Sequence, residues 1–151
     1  VALEVFDYDI DKCALIGPVD LVKRFAQEIC AEYDNFGLMV DLSHLPILHE
    51  TARQSLIPVK DYIIHAHMGN CMMKDRQDPA YGDAHPRFGY PGGENDVPEL
   101  VEYLKVLFEI GYLNPDNRRF LSFEVKPVGD EDPDIVVANA KRVLNLAWAL
   151  V

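Results

Sequence analysis

The chain has 151 residues, a formal net charge of −11 and an apolar fraction of 49%. This length and composition fit one globular domain with its own core, and no apolar run approaches the roughly 20 residues that span a bilayer. Proteins that bind a nucleic-acid backbone present basic patches, whereas the lysines and arginines here are scattered. We therefore expect neither a nucleic-acid partner nor a membrane partner.

The cysteine content and the first residues of the chain predict the cellular compartment of the protein. The three cysteines are too few and too widely spaced for a disulfide framework, and none forms a CxxC pair. We interpret them as reduced thiols of a cytoplasmic protein. The chain opens directly on a strand, without the basic leader of a signal peptide. Because it begins with Val1 in place of Met, we expect a fragment or a trimmed product.

The predicted elements alternate between apolar strands and amphipathic helices. Asp96 is predicted to cap the third helix, and Pro58 to follow the second. In chain order, the elements are a strand at 1–6, a helix at 19–34, a strand at 37–42, a helix in the 46–57 region, a strand at 61–67, a helix at 97–111, a strand at 119–126 and a helix at 132–149.

Apolar residues at helical spacing predict which face of each long helix is buried. The predicted stripes are Leu21, Val22, Phe25, Ile29 and Cys30 in the first helix, Leu100, Leu104, Leu107 and Phe108 in the third, and Ile135, Val136, Ala138, Ala140, Val143 and Leu144 in the last.

A long loop at 69–95 contains five glycines and three prolines. Loops of this length without helices or strands are usually functional or mobile. The loop directly follows His67, at the carboxyl end of the third predicted strand. We therefore expect it to contribute to a functional site.

Four strand–helix units with continuous apolar strands predict an α/β fold with a parallel sheet. Four units make half of a (β/α)8 TIM barrel, in which all strand ends surround one pocket. We expect residues 1–151 to form a single domain that is the C-terminal half of a longer barrel. Open sheet edges in such a fragment would favour a homo-oligomer.

Each predicted strand ends on a side chain that can bind a metal ion. These residues are Glu4, Asp41, His67 and Glu124. Because chemistry in parallel α/β folds gathers at the carboxyl ends of the strands, we expect the four to converge. Three carboxylates and one imidazole suit Mn²⁺, Mg²⁺, Co²⁺ or Zn²⁺. Such an ion can stabilise the enediolate of an α-hydroxycarbonyl compound, while the two glutamates exchange protons with it.

Several further polar residues lie near these strand ends. His44 follows Asp41 by three residues and is predicted to bind a substrate oxygen or a second metal, or to cap the next helix. Asp83 and His85 form an Asp-x-His pair, which fits either a second metal or an ordinary polar turn. Lys126 shares a strand face with Glu124, where it would contact a substrate oxygen or phosphate, or neutralise carboxylates.

The chain resembles the xylose-isomerase-like TIM barrels, a family of sugar and sugar-phosphate isomerases and epimerases related to endonuclease IV. The resemblance covers essentially the whole chain and corresponds to the last four β/α units of that barrel. It rests on the motifs Leu3-Glu4-Val5, Asp41-Leu42-Ser43-His44, His65-Ala66-His67, Glu109-Ile110-Gly111-Tyr112 and Ser122-Phe123-Glu124-Val125.

This resemblance implies a metal bound by the four strand-end residues, with Glu4 and Glu124 also acting as the acid–base pair. It implies that His44 binds substrate. In the endonuclease IV branch, an Asp-x-His pair holds a further zinc, and Asp83 and His85 are the candidates here.

Two positions depart from the ketose epimerases of this family. Those enzymes usually have a second Glu where this chain has Ile10, and an Arg where it has Met73. The departures weigh against a simple free-ketose 3-epimerase.

Our first hypothesis is a metal-dependent sugar or sugar-phosphate isomerase or epimerase, with a keto-inositol dehydratase-type lyase as a related possibility. The second is an endonuclease IV-like hydrolase with several zinc ions. The third is a non-enzyme, either an inactive sugar-binding barrel or a half-barrel fragment.

Overall fold

The computed structural model describes all of residues 1–151 as alternating strands and helices. In chain order, the elements are β1 (Ala2–Glu4), α1 (Val19–Glu32), β2 (Gly37–Asp41), α2 (His44–Ile47), α3 (Ala52–Leu56), a 3₁₀ helix (Ile57–Tyr62), β3 (Ile63–Gly69), α4 (Val97–Glu109), β4 (Phe120–Glu124) and α5 (Pro133–Trp148). No helix combines the length and apolar character needed to cross a bilayer.

The four strands form one parallel sheet in the order β1-β2-β3-β4. Because strand–helix–strand crossovers are right-handed, consecutive order places the helices on the same face. The predicted α/β fold of four units is therefore confirmed. The opposite face is less covered than the sequence predicted, since Phe120 is 74% exposed and Met39 and His65 are half-buried.

The core lies between the sheet and the helices. Leu38, Ala66 and Met68 on the strands are at most 1% exposed, as are Leu100, Leu104 and Leu107 on α4. The buried Tyr103 hydroxyl donates a hydrogen bond to the Val40 carbonyl at 3.2 Å, which ties α4 to the centre of the sheet. The packing of α4 thus holds in place the sheet that carries the strand-end residues.

The predicted helix in the 46–57 region is wrong in detail, because two short helices and a 3₁₀ helix replace it. His49 adopts a left-handed φ of 59° after α2. Thr51 and Gln54 then form a reciprocal capping box that starts α3. The 3₁₀ helix continues past Pro58 and delays the start of β3 from the predicted residue 61 to Ile63.

The predicted buried stripes are correct only in part, because Ala138 inside α5 is exposed, as are residues at the edges of the stripes. Leu21 of α1, Phe108 of α4 and Ile135 of α5 are exposed. Ala26 of α1 and Ala147 of α5 are fully buried instead. The predicted cap at Asp96 is confirmed, with its backbone N–H donating to the Glu99 side chain at 3.0 Å.

Candidate metal centre

Strand register brings Glu4, Asp41, His67 and Glu124 to one end of the sheet. Asp41 pairs with His67, whereas Glu4 pairs with Met39 and Glu124 with Gly69. The ligand positions therefore advance along the sheet from β1 to β4. Strands that tilt around a barrel axis require such a stagger if their ends are to face a common point.

One ligand atom of each residue converges with the others, and we call this group the strand-end site. The atoms are Glu4 Oε1, Asp41 Oδ2, His67 Nδ1 and Glu124 Oε2. His67 Nδ1 lies 2.5 Å from Glu124 Oε2, 3.6 Å from Asp41 Oδ2 and 3.9 Å from Glu4 Oε1. The four residues offer ligand atoms that all lie within 4.8 Å of one another.

The arrangement of these four atoms is better explained by a bound cation than by direct contacts among the side chains. Each is buried, yet none has a hydrogen-bond partner, although buried polar atoms are normally paired. Their mutual contacts are short enough for ion pairs but lack hydrogen-bond direction. A divalent ion between them would satisfy all four atoms, and three carboxylate oxygens with one imidazole nitrogen form a suitable donor set.

A second group, which we call the loop site, consists of His44, Asp83 and His85. Asp83 Oδ1 lies 3.0 Å from His44 Nε2 and 3.0 Å from His85 Nε2. His44 and Asp83 side chains are 1% and 2% exposed. Asp83 Oδ1 and His44 Nε2 also lack hydrogen-bond partners, so they too are oriented as metal ligands would be.

The orientation of His44 is set by the backbone. Its Nδ1 lies 2.7 Å from the carbonyl oxygen of Val5, which can only accept, so Nδ1 carries the proton. In the neutral ring, Nε2 then presents a lone pair toward the two sites. Metal-binding histidines are commonly held in this way.

The two sites are contiguous. Glu124 contacts both, because its Oε1 lies 3.3 Å from His85 Nε2 while its Oε2 faces His67. Asp41 also offers a ligand atom within 4.8 Å of those of both His44 and His85. Bridging carboxylates of this kind are compatible with one ion or with two neighbouring ions.

Charges in this pocket shift the pKa values of its residues. Burial lowers the pKa of His44, but the carboxylates of Asp83 and Asp41 outweigh burial and raise it to about 9. Burial similarly opposes ionisation of Asp83, yet His44 and His85 hold its pKa well below the usual range. Burial raises the pKa of Glu4, with further contributions from Glu124 and Asp41. The pocket therefore attracts positive charge, either as protons or as a metal ion.

The loop between β3 and α4 is ordered by buried side chains. The Asn70 side-chain oxygen accepts from the backbone of Glu94 and Asn95, and the Asn95 amide donates to the carbonyls of Leu42 and Gly69. At Gly69, a Cβ would lie 2.7 Å from the Glu124 carbonyl oxygen, so glycine permits the close approach there. These contacts hold the loop against the strand ends.

The remaining histidines and Lys126 lie outside both sites. His65 is half-buried on the inner face of β3, and its Nε2 is 3.5 Å from the Ser122 hydroxyl. His49 is exposed. Lys126 lies beyond the end of β4 at Glu124 and is exposed; its backbone N–H donates to the His85 carbonyl at 2.7 Å.

Sequence reasoning missed the contacts of Asp11 and Lys12 with Asp83. Lys12 Nζ lies 3.1 Å from Asp83 Oδ2, and the Asp83 N–H donates to Asp11 Oδ2 at 3.0 Å. Residues 7–11 are rich in Asp, which is typical of a polar loop. This composition did not indicate a partner 72 residues away.

No protein-family model and no curated protein matches this chain. Solved structures of sugar epimerases do match it. They include the apo 3-keto-D-glucoside 4-epimerase YcjR from E. coli, with a TM-score of 0.61 and 16% identity. D-Psicose 3-epimerase from Clostridium cellulolyticum H10, crystallised with D-tagatose, matches with a TM-score of 0.56 and 18% identity. A D-psicose 3-epimerase in the presence of D-fructose gives 0.54 and 14%.

The matches cover 96–98% of this chain but only 45–48% of those structures. The chain therefore spans about half the length of the epimerases it resembles. At these identities, the likeness establishes the fold. It confirms, at that level, the predicted α/β fold with the four β/α units of a half TIM barrel.

Proposed function

We propose that this chain is the C-terminal half of a divalent-metal-dependent sugar isomerase or epimerase, formed by residues 1–151 as one domain. The observation that carries the proposal is the convergence of four buried, unpartnered ligand atoms at the strand ends. The fold shared with sugar epimerases supports the substrate class. We propose a cytoplasmic location, which agrees with the three free cysteines.

Glu4, Asp41, His67 and Glu124 would hold the ion, with Mn²⁺, Mg²⁺, Co²⁺ and Zn²⁺ as candidates. When bound, the ion would supply positive charge that stabilises the negative charge developing beside a carbonyl. The side chains of Glu4 and Glu124 come from the two outer strands of the sheet. From there, one would remove a proton beside the carbonyl and the other would return it.

His44 and Lys126 are the proposed contacts for substrate oxygens. His44 Nε2 is 3.9 Å from Glu4 Oε1, so an oxygen next to the reacting carbon would lie within its reach. Lys126 is exposed, which leaves its ammonium free to pair with a hydroxyl or a phosphate. The proposed partner is a small-molecule sugar or sugar phosphate.

Solvent deuterium exchange tests this proposal directly. The purified protein should be incubated with Mn²⁺ in D₂O and a panel of free ketoses, 3-keto-glucosides and ketose phosphates. It should catalyse deuterium incorporation into at least one of these compounds, at the carbon beside the carbonyl. Glu4→Gln and Glu124→Gln should each lower exchange by about 10²–10⁴-fold. Glu28→Gln, on the exposed face of α1, is the matched control. Exchange that persists in both site variants would contradict the assigned roles.

A multinuclear zinc hydrolase of the endonuclease IV type is the second candidate, because His44, Asp83 and His85 form a ligand set beside the strand-end site. It requires at least two ions per chain and cleavage of a phosphodiester. The net charge of −11 disfavours a nucleic-acid substrate. Cleavage of bis-(4-nitrophenyl) phosphate that rises with the second equivalent of Zn²⁺ would favour the hydrolase over the isomerase.

A further inference from the structure

The loop after β1 is built around a buried carboxylate. Asp7 is 0% exposed, and its oxygens accept hydrogen bonds from the backbone N–H groups of Ile10, Asp11 and Lys12 at 2.7, 2.8 and 2.9 Å. Hydrogen bonds to an ionised carboxylate are stronger than neutral ones. Asp7 therefore fixes the backbone from which the side chains of Asp11 and Lys12 project.

Asp11 and Lys12 extend from this backbone to Asp83 in the loop between β3 and α4. Asp11 Oδ2 accepts the Asp83 N–H at 3.0 Å. Lys12 Nζ lies 3.0 Å from Asp11 Oδ2 and 3.1 Å from Asp83 Oδ2. We refer to these contacts of Asp11 and Lys12 with Asp83 as the Asp83 anchor.

Gly82 allows the anchor to form. Its φ is +79°, and a Cβ at this position would lie 3.2 Å from the Cβ, Cγ and Oδ2 atoms of Asp11. A larger residue would therefore strain the backbone and press on the side chain that accepts the Asp83 N–H. The close approach of the two loops requires glycine here.

The anchor divides the two oxygens of Asp83 between different partners. Oδ2 pairs with the ammonium of Lys12, whereas Oδ1 lies between His44 Nε2 and His85 Nε2. Since the Asp83 side chain is 2% exposed, water cannot readily replace Lys12. Partners outside a ligand set commonly fix the orientation of the ligands in this way.

We propose that Asp11 and Lys12 are positioning residues that orient Asp83 toward His44 and His85, so that the loop after β1 controls the formation of the loop site. The part of this inference that concerns an ion rests on the proposed role of the loop site in metal binding. The anchor itself can be tested in the metal-free protein.

The first test measures hydrogen–deuterium exchange in the metal-free protein over residues 80–85. We expect Lys12→Met to accelerate exchange of this segment at least threefold, because Asp83 Oδ2 loses its cationic partner. Lys12→Arg should restore the slow exchange, since a guanidinium can pair with the same oxygen. Lys105→Met, which removes an exposed pair with Glu102 on α4, is the matched control. Unchanged exchange in Lys12→Met would overturn the anchor.

The second test follows Co²⁺ binding by its visible absorption. We expect Lys12→Met to weaken the loop-site ion about 10–100-fold, while the strand-end ion changes less than threefold and Lys12→Arg stays close to the unmodified protein. If Lys12→Met binds both ions as tightly as the unmodified protein does, the positioning role is overturned.

If the unmodified protein binds a single Co²⁺ even in excess, the assignment of a metal to the loop site fails. The exchange experiment then decides the anchor alone. Faster exchange in Lys12→Met with recovery in Lys12→Arg still supports it, and unchanged exchange overturns it.

Discussion

The two ligand groups at this end of the sheet are built in different ways. The strand-end site takes each ligand from the end of a regular strand, at positions set by backbone hydrogen bonds and register. The loop site takes His44 from the first position of α2 and Asp83 and His85 from an irregular loop. His85 has a left-handed φ of 52°, which only surrounding contacts can maintain.

This difference predicts different sensitivities. The strand-end site should tolerate changes around it and fail when one of its own ligands is lost, because the sheet positions every backbone involved. The loop site should also fail when distant residues change, because it depends on side chains such as Asp7, Lys12 and Asn70. Variants that separate the two sites therefore test the comparison.

The largest expected effect is at His67, a proposed ligand of the strand-end site alone. His67→Gln removes Nδ1, and we expect the affinity for the first divalent ion to fall at least a hundredfold, or about 3 kcal/mol. Competition with a chromophoric chelator measures this affinity. His65→Gln, two residues away on the same face of β3, should change the affinity less than threefold. Equal losses in the two variants would mean that the strand, and not the ligand, is responsible.

The next effect concerns pH in the metal-free protein. His44 has a pKa of about 9 in the folded state against an ordinary 6.5, so its stabilising contribution is complete below pH 6.5 and is lost as pH rises through 9. Asp83 has a lowered pKa, so its contribution is complete above about pH 4 and is lost at lower pH.

Urea unfolding should therefore give a free energy of unfolding that declines by on the order of 2 kcal/mol between pH 6.5 and 9. The decline should be smaller in His44→Gln. The same slope in both proteins would show that the loop-site histidine does not carry the effect.

The smallest expected effect compares two glycines with similar backbone angles. Gly82 and Gly111 have φ of +79° and +75°, but only Gly82 has atoms within 4 Å of an added Cβ. Gly111→Ala should cost about 1 kcal/mol of unfolding free energy. Gly82→Ala should cost more and should also weaken binding at the loop site. Identical losses, with unchanged metal binding, would contradict the requirement for close approach to Asp11.

The features that could be predicted from the sequence are those that regular strands and helices determine. Glu4, Asp41, His67 and Glu124 end apolar strands, and the carboxyl ends of parallel strands meet at one edge, so their convergence could be expected. The interruption at His49 could not, because a left-handed residue between two short helices leaves no periodic signal. The exposure of Ile135 likewise depends on which side of α5 packs against α4.

The loop contacts lay beyond sequence reasoning for a different reason. Asp11 and Asp83 are 72 residues apart, and their contact depends on the path of two irregular loops. His44 was expected near the substrate, but its distance from Asp83 depends on the same loop path. Only Gly82 left a trace in the sequence, and glycine in a turn has many simpler explanations.

Metal content per chain, measured by elemental analysis on the purified protein, tests the central claim most directly. We predict at least one divalent ion that is retained in the Asp83→Ala/His85→Ala double variant and lost in Glu124→Gln. A single ion would favour the isomerase or epimerase, and further ions removed by the double variant would favour the hydrolase. A folded protein without bound metal, or with its metal retained in Glu124→Gln, would contradict the strand-end site.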